Sequence, residues 1–311
     1  MGSPPEARNR IRLNVRELWR FRHLYLLLLP VLVYFVLFRY WPIWWLTISF
    51  KDYRLFAGFA ASPWVGLKHY IAFFNSRDFL MIISNTLLIN LYALVFAFPV
   101  PIIFALLLNE LSGIRFKRTV QNISYLPHFV SMVVAVGLIM SFLSPATGPL
   151  NQMLKGLGFE PVFFMAKAEY FRTIYIVSEI WQHMGWQAIV YLAALAAVDV
   201  ELYEAAVVDG ASRWKQLVHV TLPSISSTII VMFVLRVGYI MTVGFEKMFL
   251  MTNPMVRQVA EVISTYVYRR GLLNGDYSFA TAVGFFNSLV ALLFISVANG
   301  VSRKFSDVSV W

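Results

Sequence analysis

The chain has 311 residues, of which 59% are hydrophobic and only 14% charged, with a formal net charge of +10 and no cysteine. Soluble domains carry about a quarter charged residues, so this shortage points to a lipid environment and overrules the two soluble domains that length alone would suggest. The missing cysteines exclude disulfides, thiolate metal sites and a cysteine nucleophile, and in so apolar a chain the basic excess fits cytoplasmic membrane edges better than a nucleic-acid partner.

Crossing the hydrocarbon takes about 20 mostly apolar residues in a helix. Six stretches qualify: 24–46, 81–108, 122–143, 172–198, 225–250 and 279–300. The expected fold is therefore an all-α integral membrane protein with about six transmembrane helices. It divides into a basic cytoplasmic segment at 1–23, a single membrane domain at 24–300 and a short cytoplasmic tail at 301–311.

At the start, Arg8, Arg10, Arg12, Arg16, Arg20 and Arg22 precede the apolar run Leu24–Phe38. This has the outline of a signal peptide. The bulky Arg39-Tyr40-Trp41-Pro42-Ile43-Trp44-Trp45 that follows offers no small-x-small cleavage site, so an uncleaved first span is expected, with Trp41, Trp44 and Trp45 as an interfacial belt. The six arginines place the N-terminus in the cytoplasm, and six spans return the C-terminus there. Arg115, Lys117, Arg118, Arg303 and Lys304 agree with that orientation, although Lys51, Arg54, Lys68, Arg257, Arg269 and Arg270 fall on the opposite side. The outer connections, 51–80, 144–171 and 251–278, hold turn formers such as Pro63, Gly66, Pro145, Gly148 and Pro254. No internal repeat or low-complexity tract is found.

The connection at 199–223 is the most structured. Asp199 is placed to cap a helix from Val200 to about Val208. Gly210 suits the left-handed conformation that ends that helix, and Ser212 can cap a second short helix that Pro223 helps to terminate. Ala205 and Ala206 leave a face without bulk, Glu204 and Asp209 offer anionic groups to a partner, and Trp214, Leu217 and Val220 are spaced to pack the second helix against the membrane domain. From the residues alone, a docking lever is favoured only modestly over an ordinary inter-helix loop.

Within the spans, Glu179 and Arg236 are charged. Groups at that depth cost at least ~2.5 kcal/mol and face water or a partner. Arg236 reads equally as a translocation-path residue attracting a carboxylated sugar and as half of an ion pair, with Glu179 or with another subunit. Gln182, Trp186, Gln187 and Tyr191 are candidate saccharide contacts, combining aromatic faces with amides, though aromatics in membrane helices more often serve packing. Asn287 is a weaker candidate. No phosphate-binding G-x-x-x-x-G-K-[ST] loop, H-E-x-x-H or G-x-S-x-G pattern occurs, and His23, His69, His128, His183 and His219 are scattered, so neither a catalytic site nor a metal site is expected.

Glu204-Ala205-Ala206-x-x-Asp209-Gly210-Ala211 through Leu222-Pro223 resembles the EAA loop of binding-protein-dependent ABC importer permeases, with Leu217 where the family commonly has an aromatic. The resemblance covers almost the whole chain. Asn85-Thr86, Ala105–Glu110, Lys117-Arg118-x-x-Gln121, Tyr125–Phe129, Tyr191–Leu195 and Trp311 are similar to the oligosaccharide and polysaccharide subgroup, and within it to alginate-import permeases. The resemblance implies a type I permease architecture in a bacterial inner membrane, paired with a second homologous permease. It implies two ATPase subunits holding ATP and Mg, an extracytoplasmic sugar-binding protein and a saccharide substrate. No cofactor belongs to this chain itself, and its coupling residues would be Glu204, Ala205, Ala206, Asp209, Gly210, Ala211, Leu217 and Pro223. The rival readings are an ion-gradient-driven secondary transporter, a membrane-embedded glycosyltransferase, and an ABC permease for a non-sugar solute.

Overall fold

The computed structural model describes residues 21–305, with side chains through Arg303. Arg8, Arg10, Arg12, Arg16, Arg20 and Trp311 lie outside the described residues, as do most of the basic first segment and the end of the tail. Among the described residues the molecule is helical, with no strand beyond an isolated bridge between Lys51 and Trp64.

Among the described residues four helices are long and apolar enough to cross a membrane: α1 (Arg22–Phe50), α2 (Phe79–Glu110), α6 (Arg213–Gly238) and α8 (Tyr277–Phe305). The predicted third span is split. Between α2 and α6 the chain forms α3 (Ile114–Phe129) and α4 (Met132–Phe142), which pass as a fifth span only together and meet at 104°. The break sits at Val130-Ser131, where the Ser131 side chain caps α4 by accepting from the Val134 N–H. α5 (Ala168–Ala196) has 29 residues, long enough to span, but its polar centre, Trp181–Gln187, keeps it out of the apolar class. It packs against α2, α3 and α6, while α8 packs against α1 and α6.

Prolines explain why the long helices survive their own sequences. A helical proline lacks the N–H for the carbonyl four residues back and its ring collides with that carbonyl. Pro42, Pro99 and Pro223 each follow a single wide turn, Val36–Tyr40, Ala93–Ala97 and Leu217–Thr221. In each, the hydrogen bond spans five residues, as in Trp41 N–H to Val36 O, Phe98 N–H to Ala93 O and Leu222 N–H to Leu217 O. The endangered carbonyls, Phe38, Val95 and His219, lie inside those turns, where the ladder has already shifted. Pro223 therefore does not terminate a helix as expected. α6 runs through it.

The predicted fifth span, 225–250, is also interrupted. α6 stops at Gly238, whose missing side chain lets α8 approach: a Cβ there would sit 2.7 Å from Ile295 Cδ1. The chain then runs irregularly to Gly244 before α7 (Phe245–Met251) packs against α4. Residues 199–212, with the short helix Val200–Val208, form a foot between α5 and α6.

Three apolar clusters hold the bundle. One surrounds Phe171, Met248, Met251 and Val262, a second Phe73, Ile82, Tyr266 and Phe279, and a third Ala105, Ala188, Tyr191, Leu195 and Ile225. α5 contributes to the first with its N-terminal half and to the third with its C-terminal half. Gly185 marks the closest approach of α5 to α3, since a Cβ there would collide with the Ser124 carbonyl. Near the 251–278 connection, the buried Glu261 accepts from Arg257 and Arg269, both at 2.8 Å. Asn85 of α2 donates to the carbonyls of Gln258 and Glu261 and accepts from Arg172 of α5, fixing that connection onto two helices.

Candidate functional site

The 199–223 segment folds as a cap, helix, turn and second helix. Asp199 accepts from the Glu201 N–H at 3.0 Å, opening Val200–Val208. Gly210 has φ +72°, and the Ala211 N–H reaches back to the Ala206 carbonyl at 2.9 Å, closing the helix end. A Cβ on Gly210 would meet nothing within 4 Å, so the backbone angle, not space, demands glycine. Ser212 then accepts from the Lys215 N–H and starts α6.

Glu204, Ala205, Asp209 and Gly210 are exposed, and Ala206 and Ala211 are half-buried. The small, acidic face is thus open to a partner. Behind it, Tyr203 hydroxyl lies 3.0 Å from Thr221 Oγ1, Gln216 donates to the Ala211 carbonyl, and Arg213 pairs with Glu110 at the end of α2. Trp214 departs from expectation: it is 71% exposed and does not pack against the bundle. Spacing by three assumed one uninterrupted helix, and the wide turn at Leu217–Thr221 shifts the inward position to Thr221, which is buried. Leu217 is half-buried inside that turn, and Pro223 follows it.

The second constellation is a cavity of about 300 Å³ lined by α2, α4, α5, the broken end of α6 and α7. Its polar groups are Asn90, Tyr175, Glu179, His183, Arg236, Thr242, Glu246 and Lys247. Tyr175, Glu179 and His183 share one face of α5 at intervals of four. Arg236 donates to Glu179 at 3.1 Å, with side chains 29% and 17% exposed. The same pair lines a further cavity of about 280 Å³ with Gln187, Tyr191 and Tyr239. The ion pair therefore stands between two compartments on the α5–α6 seam. The irregular stretch after Gly238 contributes Thr242, Val243 and Gly244 to the wall of the first cavity.

A model of the family described as binding-protein-dependent transport system inner membrane component matches residues 97–307, a range containing the foot, α5 and the α5–α6 seam. The chain belongs to this family. It is a membrane-embedded permease of an ABC importer, with a role in transport rather than catalysis. It is 45% identical to protein LplB of Bacillus subtilis over 94% of this chain and 91% of that one. It is 43% identical to the polygalacturonan/rhamnogalacturonan transport system permease YteP of the same organism, over 93% of this chain and 90% of that one. Its structure superposes with a TM-score of 0.88 on a chain of a bacterial alginate ABC transporter crystallised in complex with an alginate pentasaccharide-bound periplasmic protein, at 42% identity, covering 95% of this chain and 99% of that one.

Within the permease, the sequence candidates separate. Gln187, Tyr191 and Arg236 line the second cavity, and Arg236 the first as well. Arg236 is paired with Glu179 and also faces both cavities. Gln182 is buried and lines neither cavity. Trp186 stacks on His128, ring centres 4.5 Å apart and nearly parallel, while His128 Nδ1 lies 3.2 Å from His183 Nδ1. Asn287 has a buried Oδ1 without a hydrogen-bond partner among the described residues and lines neither cavity. Sequence reasoning missed Lys247, Glu246, Asn90, Tyr175 and His183. The charges of Glu246 and Lys247 near the end of an apolar stretch could have drawn attention, but the break that turns Lys247 inward is not written in local pattern.

Proposed function

We propose that the chain is one of two permease subunits in an ATP-driven importer of acidic oligo- or polysaccharide. In this reading six helices cross the membrane: the four apolar ones, the bent α3–α4 pair and the more polar α5, with both termini in the cytoplasm. Two ATPase subunits, which hold ATP and Mg, grip the foot through Glu204, Ala205, Ala206, Asp209, Gly210 and Ala211. A second homologous permease completes the path, and an extracytoplasmic binding protein delivers the cargo. The acidic cargo is suggested by the alginate transporter and the polygalacturonan permease to which the chain is similar.

The observation that carries this reading is mechanical. α6 leaves the foot at Arg213 and continues without a break to Gly238, carrying Arg236 near its far end. At 1.5 Å per residue, the 23 residues between Arg213 and Arg236 span about 35 Å. A push on the foot by closing ATPases displaces one partner of the Glu179–Arg236 pair and reshapes both cavities. Nucleotide then acts as a ligand that favours one of two arrangements of the bundle.

The test is uptake of tetragalacturonate into proteoliposomes holding both permeases and the ATPases, with the binding protein outside. The expected result is uptake that needs internal ATP, ignores a protonophore and is lost in Glu204→Lys although the chain still inserts. Uptake that survives ATP depletion and fails with the protonophore would establish a gradient-driven carrier instead.

A further inference from the structure

Lys247 is 4% exposed, yet it lines the 300 Å³ cavity. Its ammonium carries three donors. One goes to the Tyr175 carbonyl at 3.1 Å, and the group lies 4.5 Å from the centre of the Tyr175 ring. Among the described residues no carboxylate oxygen comes within 4.0 Å of it. The nearby carboxylate of Glu179 is taken up by Arg236. Glu246 also lines the cavity but is exposed, and its carboxylate makes no salt bridge to Lys247 among the described residues. With Glu179 engaged by Arg236, Lys247 is the buried charged group of the cavity that makes no salt bridge among the described residues.

A buried ammonium ordinarily pairs or binds a ligand, because leaving water costs several kcal/mol. Lys51 offers a contrast within the same chain. It too is buried, donates to the Phe59 carbonyl and faces two aromatic rings, but it lines neither of the two cavities and ties one outer turn together. Lys247 makes the same kind of contacts and in addition has open, polar space before it. Asn90, Tyr175 and His183 on the walls supply hydrogen-bonding groups suited to hydroxyls.

We infer that the cavity is a transient binding site for one carboxylated sugar unit of the passing chain, with Lys247 as the group that receives the carboxylate. This deepens the proposed function and rests on it. The Glu179–Arg236 pair forms the boundary of the site toward the second cavity, and Lys247 determines its preference for charged over neutral units.

The test uses the whole importer, both permeases with their ATPases, in nanodiscs without the binding protein. Its thermal stability is measured against tetragalacturonate and against the fully methyl-esterified tetramer, in which each carboxylate has become a neutral ester. The expected result is that the acid stabilises the wild type, the ester does so at least tenfold more weakly in concentration, and Lys247→Met brings the acid down to the level of the ester. Lys247→Arg restores the preference. Equal stabilisation of the wild type by acid and ester, or by neither, overturns the inference without any variant having to fold. So does a Lys247→Met importer that keeps the acid preference. Failure of the saccharide reading itself shows separately, as absence of ATP-dependent tetragalacturonate uptake by the wild type.

Discussion

The foot and the cavity are built in opposite ways. The foot is made of contiguous residues, 199–212, held by neighbours: a cap at Asp199, a positive-φ glycine at Gly210 and a second cap at Ser212. The cavity draws residues from Ile89 to Lys247 across five helical elements, and its central contact joins positions 57 apart in sequence. The foot is largely exposed, while the cavity is walled by the packing of distant parts of the chain. A site of local chemistry can be read one residue at a time. A site of long-range packing needs the fold.

The comparison breaks most sharply at Gly210. Gly210→Pro cannot hold φ +72°, and uptake in reconstituted vesicles is expected to fall to background with membrane insertion unchanged. Gly210→Ala pays only the left-handed backbone cost of about 1–2 kcal/mol, so partial transport is expected. Transport at wild-type level in Gly210→Pro would remove the foot from the mechanism.

On the cavity side, Arg236→Met strands Glu179. The pair is partly exposed, between surface pairs worth about 0–1 kcal/mol and fully buried ones whose breakage costs about 3–5. A loss of about 2 kcal/mol in chemical unfolding of the solubilised chain is expected, with recovery in the double variant Glu179→Gln/Arg236→Met. Absence of coupling between the two sites would show that the contact does not organise the seam. Gly185→Ala tests the packing beneath it: the added methyl meets the Ser124 backbone, and overpacking of about 1–3 kcal/mol is expected in the same assay.

The smallest effect belongs to the foot's outer tether. Arg213 and Glu110 are 3.0 Å apart but 85% and 51% exposed, so Arg213→Ala is expected to leave both stability and uptake within error. A large loss would mean that this contact, and not the caps, sets the foot's position.

These differences also explain what could be read in advance. The foot helix was legible to its ends, Val200 and Val208, because capping residues write boundaries into the sequence. The apolar runs announced α1, α2, α6 and α8. What stayed hidden were departures from regular helix. The wide turn at Leu217–Thr221 lets α6 pass Pro223 and turns Trp214 outward, and no composition signal distinguishes that from a proline stop. The bend at Val130-Ser131 and the break at 239–244 interrupt stretches whose hydropathy is continuous. Lys247 owes its place to that second break. The amides and aromatics of α5 looked alike in sequence, and packing alone sent Gln187 and Tyr191 to a cavity, Trp186 onto His128 and Gln182 into the interior.

The most direct test exploits the absence of native cysteine. Ala205→Cys, on the exposed face of the foot, is labelled with a membrane-impermeant maleimide in inverted and in right-side-out vesicles, with and without the ATPase subunits. The account predicts labelling only from the cytoplasmic face and protection when the ATPases are bound; labelling from the outer face, or equal labelling with the ATPases in place, would contradict it.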